Sequence, residues 1–281
     1  MLLLALDTST RQASVSLCSE ERLYGEYTWH VGNNHSVELL ERIQRLLAEC
    51  DITMSALDGL AVAVGPGSFN GVRVAVATAK TLAFALRKPL VGISTLDVGA
   101  AQQQQWPGPV CSLLEAGRAE LYAACYLFDE QEQGGFVSYS PRLLGDYQLL
   151  TPEDLALYLQ EQIVPLLEDR GEGQPAAAPY LFCGEVSASS HQALLTAMPG
   201  QAYFVPTVQS ARHASTLAGL ARQRLAENRG DDPLLLEPFY VRHPSITTSA
   251  RKQPLLGNKA AVSDAQNDQF NTEREEGALR R

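Results

Sequence analysis

Gly65-Pro66-Gly67-Ser68-Phe69-Asn70-Gly71-Val72-Arg73 constrains this chain more than any other stretch. It follows a short apolar run, residues 59–64, that reads as a buried strand. It precedes residues 72–86, which read as a helix rich in Ala and other apolar side chains. Three glycines at a strand-to-helix junction permit positive φ and close backbone approach. Such a loop can cradle an anion at a helix N-terminus, or it can be a tight turn that packs helix on strand. There is no Gly-Lys-Ser/Thr, so it is not a P-loop. The glycines fall as GxGxxxG, so it is a poor dinucleotide fingerprint.

The flanking strand and helix form part of a βαβ-like unit, closed by Leu90–Ile93 and requiring a parallel pair with a right-handed crossover. Ahead of it, residues 2–6, 13–18 and 22–29 read as three consecutive strands. Residues 36–50 read as an amphipathic helix with Val37, Leu40, Ile43 and Leu47 in one stripe. The first half is therefore βββαβαβα. Gln102 to Gln105 followed by Trp106-Pro107-Gly108-Pro109 breaks the pattern. Strands then restart at 110–114, 120–128 and 136–143. Thr151-Pro152-Glu153-Asp154 is a helix start, with a threonine cap, Pro in the first turn and acids beside it. After a Gly/Pro/Ala loop at 171–179 come a strand at 180–183 and helices at 187–197 and 211–228. Three segments result: an N-terminal α/β domain at 1–105, a C-terminal α/β domain at 106–243, and a tail at 244–281. The tail is polar, with Phe270 its only aromatic residue, and is expected to be disordered.

The formal charge of −10 is unfavourable for a chain that grips RNA by itself. No apolar run approaches the ~18 residues of a membrane span, and Asp7 interrupts the first apolar run, which reads as a strand and not a signal peptide. Five cysteines without a CxxC pair argue against a disulfide framework and a zinc knuckle, and fit a reduced, cytoplasmic setting.

Leu3-Leu4-Ala5-Leu6-Asp7-Thr8-Ser9-Thr10, Asn34-His35-Ser36, the glycine loop, Gly92-Ile93-Ser94-Thr95-Leu96 and Pro238-Phe239-Tyr240-Val241-Arg242 occur in that order. In order and spacing they resemble the TsaB family, the bacterial partner subunits in threonylcarbamoyladenosine synthesis on tRNA. The likeness is dense over residues 1–105 and thinner to about 243. It implies the α/β fold of the actin-like ATPase superfamily, with two ribonuclease-H-like halves and mixed sheets. It implies a non-catalytic scaffold and activator of a TsaD-like transferase, with a TsaE-like ATPase as further partner. tRNA would be met only through the complex, and a homodimer is a further possibility.

In that superfamily the turn after the first strand binds phosphate. Here Asp7, Thr8 and Ser9 occupy it without the usual glycine, so they are either a weak nucleotide contact or a turn that satisfies loose backbone groups. The second phosphate turn has Glu115-Ala116-Gly117-Arg118 where the family tends to carry Asp-Ala-Arg. Glu120 and Tyr122 match the family pattern. The adenosine loop has one glycine, in Gly184-Glu185-Val186. No cofactor is expected beyond weak ATP binding. The segment matching the TsaD metal pair, residues 92–99, contains no histidine, and no two histidines in the chain stand three or four apart. No metal site and no catalytic residue are expected. The helix at 72–86 is apolar nearly all round, so it needs cover on more than one side. Family members use their first two helices in a four-helix bundle with a partner. The implied interface is Leu40, Ile43, Leu47, Val72, Arg73, Val76, Ala79 and Ala83. An actin-fold ATPase or small-molecule kinase is the main rival, which the degraded phosphate turns disfavour. A metalloprotease-like activity is a lesser one, which the missing histidine pair disfavours.

Overall fold

The computed structural model describes residues 1–32, 35–133, 136–168 and 179–241. The expected disordered tail, the loop at 171–178, Asn34 and Arg242 lie outside the described residues.

The first sheet holds β1 (Leu3–Asp7), β2 (Gln12–Cys18), β3 (Leu23–His30), β4 (Gly59–Ala63) and β5 (Leu90–Ile93) in the order β3-β2-β1-β4-β5. β1 runs antiparallel to β2, and β2 to β3, whereas β1–β4 and β4–β5 are parallel. The second sheet holds β6 (Val110–Gly117), β7 (Glu120–Gln133), β8 (Phe136–Leu150), β9 (Tyr180–Glu185) and β10 (Ala202–Phe204) in the order β10-β9-β6-β7-β8. Its first three strands are antiparallel and its last two parallel in the same way. Numbered within its own half, each sheet has the order 3-2-1-4-5. The duplication expected from the strand and helix pattern is thus present in the topology, as two ribonuclease-H-like mixed sheets.

β1 and β4 read as continuous apolar runs because both faces of the first sheet are covered. Leu4, Leu6, Leu60 and Val62 meet one cluster, with α1 (His35–Glu49) and α2 (Phe69–Leu86). Leu3, Ala5, Ala61 and Ala63 meet the other, with Ala214, Leu217, Ala218 and Ala221 of a later helix. Those four positions are spaced as one helical face. Their helix, α7 in chain order (Ala214–Ala226), belongs to the expected C-terminal segment, yet it packs on the first sheet. Conversely α3 (Thr95–Ala101) of the N-terminal segment packs Leu96 and Ala100 against Val110, Leu114 and Tyr126 of the second sheet. α3 and α7 thus each pack on the sheet built from the other segment. Without α7, one apolar face of the first sheet would stand in water.

The far face of the second sheet is covered by α4 (Pro152–Tyr158) and α6 (Ala188–Ala197), whose Leu155, Ala156 and Leu194 meet Phe182, Leu113 and Leu121. A short α5 (Val164–Glu168) follows α4. Thr151 caps α4, accepting from the Asp154 amide, with Pro152 in the first turn, as its sequence requires. α2 begins three residues before the expected start, because Ser68 takes an extended conformation and accepts from the Gly71 amide. β7 and β8 run past their expected ends, at 128 and 143, to Gln133 and Leu150. The extra stretch Asp129-Glu130-Gln131-Glu132-Gln133 carries no apolar alternation. It is placed by pairing to its neighbour, and residues 129–132 are exposed, so periodicity could not reveal it.

Candidate functional site

The turn after β1 and the glycine loop are built on each other. Thr8 Oγ1 donates to the Gly71 carbonyl at 2.7 Å, and the Ser68 amide donates to the Ser9 carbonyl at 2.6 Å. A Cβ on Gly71 would lie 2.0 Å from Thr8 O, and one on Gly67 would lie 2.2 Å from Ser9 O. Gly65 has φ +105°, and a Cβ there would meet Phe239 O at 2.7 Å. All three glycines are explained by backbone against backbone. The loop cradles the chain itself, and the tight-turn reading is the one its contacts support. Thr8 spends its hydroxyl proton on α2.

Asp7 is 1% exposed and fully engaged. Its Oδ1 accepts from the Ser9 amide at 2.8 Å and from the Ser9 hydroxyl. Its Oδ2 accepts from Arg212 Nε at 2.9 Å. Arg212, itself 2% exposed, also donates from Nη1 to Glu185 Oε1 and from Nη2 to Thr10 Oγ1, both at 2.7 Å. Thr10 Oγ1 in turn donates to Glu185 Oε1 at 2.7 Å. Burial works against the Arg212 charge, but the carboxylates of Asp7 and Glu185 outweigh it and keep the guanidinium protonated. One buried cation thus ties the β1–β2 turn, the end of β9 and the approach to α7. Sequence reasoning missed Arg212, which lies 205 positions from Asp7 with no local motif.

The second turn is also inwardly committed. Glu115 Oε1 accepts from the Ser187 amide at 2.7 Å and Ser190 Oγ at 2.8 Å, at the start of α6. Gly184 has φ +117° with Leu113 O 1.9 Å from its absent Cβ, so strand packing accounts for this glycine. Beside it lies a cavity of about 390 Å³ lined by Phe182, Gly184, Ser187, His191, Phe204 and Thr207. Burial raises the Tyr122 phenol. Where a metal pair was sought, in α3, Asp97 Oδ1 accepts from Tyr126 at 2.6 Å and Tyr147 at 2.7 Å. Burial pushes the Asp97 carboxyl up, against the pull of both hydroxyls and of Arg224. Among the described residues, no group of three His, Cys, Asp or Glu side chains could hold a metal ion.

The expected interface residues separate into two sets. Ile43, Leu47, Val72, Val76, Ala79 and Ala83 are buried in the core under the first sheet. They are core positions and not an outward face, because α1, α2 and the sheet already cover one another there. Leu40 is 49% exposed, and Arg73 is exposed. The outer stripe of α2 is Arg73, Ala77, Thr81 and Phe84, with Phe84 70% exposed. Val37, Phe69 and Phe84 were missed; counting in turns from Arg73 finds Phe84. Arg73 lies 3.7 Å over the Phe69 ring and donates from Nε to Tyr240 Oη at 3.1 Å. The Phe239 amide donates to Val64 O at 2.7 Å. The structure thus brings the C-terminal Phe239-Tyr240 pair onto the glycine loop and α2.

Known proteins resemble this arrangement over nearly all the described chain. A Bacillus subtilis protein, tRNA threonylcarbamoyladenosine biosynthesis protein TsaB, is 30% identical over 243 residues, spanning 86% of this chain and 94% of that one. The chain belongs to the TsaB family. The Escherichia coli TsaB protein is 31% identical over 132 residues, 46% of this chain and 57% of its own. The crystal structure titled YeaZ from Pseudomonas aeruginosa is 29% identical, with a TM-score of 0.64 over 85% of this chain and 99% of that chain. Residues 30–135 match the family model described as TsaD, tRNA N6-adenosine threonylcarbamoyltransferase. That segment contains α1, the glycine loop, α2 and α3.

Proposed function

We propose that this chain is a non-catalytic scaffold and activator in the formation of threonylcarbamoyladenosine on tRNA, working with a TsaD-like transferase. The observation that carries the reading is the buried pairing of Arg212 with Asp7. An ATPase or kinase of this fold needs its first-strand acid free for a metal–phosphate group. Here that acid, Asp7, is spent on a buried guanidinium, and Thr8 is spent on Gly71. Nucleotide binding is at most weak on this reading. The exposed α1 and α2 residues Val37, Leu40, Arg73 and Phe84 supply the partner face. A TsaE-like ATPase is a further partner at that junction, a homodimer competes for the same face, and tRNA is met only through the complex. The setting is the cytoplasm; no helix among the described residues is long and apolar enough to cross a membrane.

Reconstitution tests the reading. The purified chain with threonylcarbamoyl-adenylate and unmodified tRNA should give no modified adenosine. Adding the TsaD-like partner should restore turnover above that of the partner alone. Turnover by the chain alone, or a partner indifferent to its presence, would overturn the proposal.

A further inference from the structure

Cys111 on β6 and Cys125 on β7 are register partners in the antiparallel pair, with Sγ atoms 2.8 Å apart. They are 1% and 3% exposed and sit in the core on the α4 and α6 side of the second sheet. Cys183, on neighbouring β9, belongs to the opposite face, where its Sγ lies 3.5 Å from Gly99 O. We propose that Cys111 and Cys125 form an oxidation site that closes to a cross-strand disulfide in hydrogen peroxide.

Directly opposed antiparallel residues hold their Cβ atoms about 4.5–5.5 Å apart, and a disulfide needs about 3.5–4.5 Å. The strands need only a small approach, because the two sulfurs already face each other. In the reaction one thiolate attacks peroxide and the O–O bond breaks, leaving a sulfenic acid and hydroxide. The second thiol attacks that sulfur, the S–S bond forms, the S–O bond breaks and water leaves. Two thiols and one peroxide become one disulfide and two waters, with two electrons passing to the peroxide. A small oxidant suits a site walled by Leu113, Leu121 and Phe182. Its first step is slow, because burial pushes the Cys111 thiol well up and leaves little thiolate. The second step is fast, because the partner sulfur is already in place.

The test is peroxide treatment of the folded full-length chain, then denaturation with alkylation and peptide mass mapping. A Cys111 peptide linked to a Cys125 peptide is expected, about 2 Da below their summed mass and reversed by dithiothreitol. Cys18, Cys50 and Cys183 should remain outside the link. Cys111→Ser and Cys125→Ser should each abolish it, and the wild-type map stands even if a variant misfolds. Full alkylation of both cysteines under peroxide that oxidises Cys50 would overturn the proposal. So would an equal yield from the urea-unfolded chain, since the fold would then not be selecting the pair.

Discussion

Arg212 donates from Nε to Asp7 Oδ2 at 2.9 Å, with both side chains within 2% of full burial. The pair joins the turn of the first strand to the chain just before α7, and Glu185 extends it to the end of β9. A buried ion pair adds little net stability over an apolar replacement, but losing one partner strands a charge away from water. The arrangement therefore acts as an obligate unit.

Arg212→Met should destabilise the chain by about 3–5 kcal/mol, because Asp7 and part of Glu185 lose their countercharge. Arg212→Lys should lose less, since the charge stays but one ammonium cannot reach Asp7, Glu185 and Thr10 in the same fork. Urea unfolding measures both. A loss below about 1 kcal/mol for Arg212→Met would show that Asp7 does not depend on this cation.

Gly71→Ala should cost about 1–3 kcal/mol or more, because its Cβ would meet Thr8 O. The obstructing atoms are the Thr8 carbonyl, backbone that cannot yield as a flexible side chain can. Gly117→Ala is the contrast: no atom lies within 4 Å of its Cβ, and only its φ of +74° opposes the change, by about 1–2 kcal/mol. Equal melting temperatures for wild type and Gly71→Ala would contradict the close approach of α2 and the β1 turn.

Leu40→Asp and Phe84→Asp should leave the fold intact and abolish association with the TsaD-like partner. Ala79→Asp should instead unfold the chain, since Ala79 is fully buried and its charge would have no partner. Circular dichroism separates folding from binding, and size-exclusion chromatography with the partner reads the complex. A folded Leu40→Asp, Phe84→Asp double variant that still co-elutes normally would place the interface elsewhere.

Asp97 gives a pH test with a definite sign. Its folded carboxyl is raised, with burial the largest cause, so between the unfolded and folded values the folded state binds more protons. The contribution of this group to stability therefore falls as pH rises through that window, and the full cost is present above it. Asp97→Asn keeps an oxygen for Tyr126 and Tyr147 and should remove this falling component from urea melts taken as pH rises above the ordinary carboxylate range. Asp97→Leu leaves two phenols without their acceptor and should cost about 1–3 kcal/mol for each. An unchanged pH profile in Asp97→Asn would show that its carboxyl does not titrate in that window.

The strands of the first half were legible because parallel, doubly covered strands such as Leu3–Asp7 and Leu90–Ile93 are short unbroken apolar runs between turn residues. The cap at Thr151 was legible because capping is chemistry between residues three apart. The far end of β7 was not, because Asp129 to Gln133 is a polar stretch placed by its pairing with residues 136–140 and not by an apolar face. The stripe on α2 was misassigned for a different reason. Val72, Val76, Ala79 and Ala83 do share a buried face, but periodicity reports burial without saying what does the burying.

By itself the sequence determined the local pieces: a glycine loop between strand and helix, two runs of strands with helices, and a turn containing Asp7, Thr8 and Ser9. It also determined the family likeness, which resides in those same short motifs. Only the tertiary structure decided that α3 and α7 cross to the opposite sheets, that Arg212 closes on Asp7, and that Phe84 instead of Ala79 faces outward. Those outcomes are contacts between residues far apart in the chain. No local spacing encodes them, because which surfaces meet depends on how all the covered faces are shared out at once.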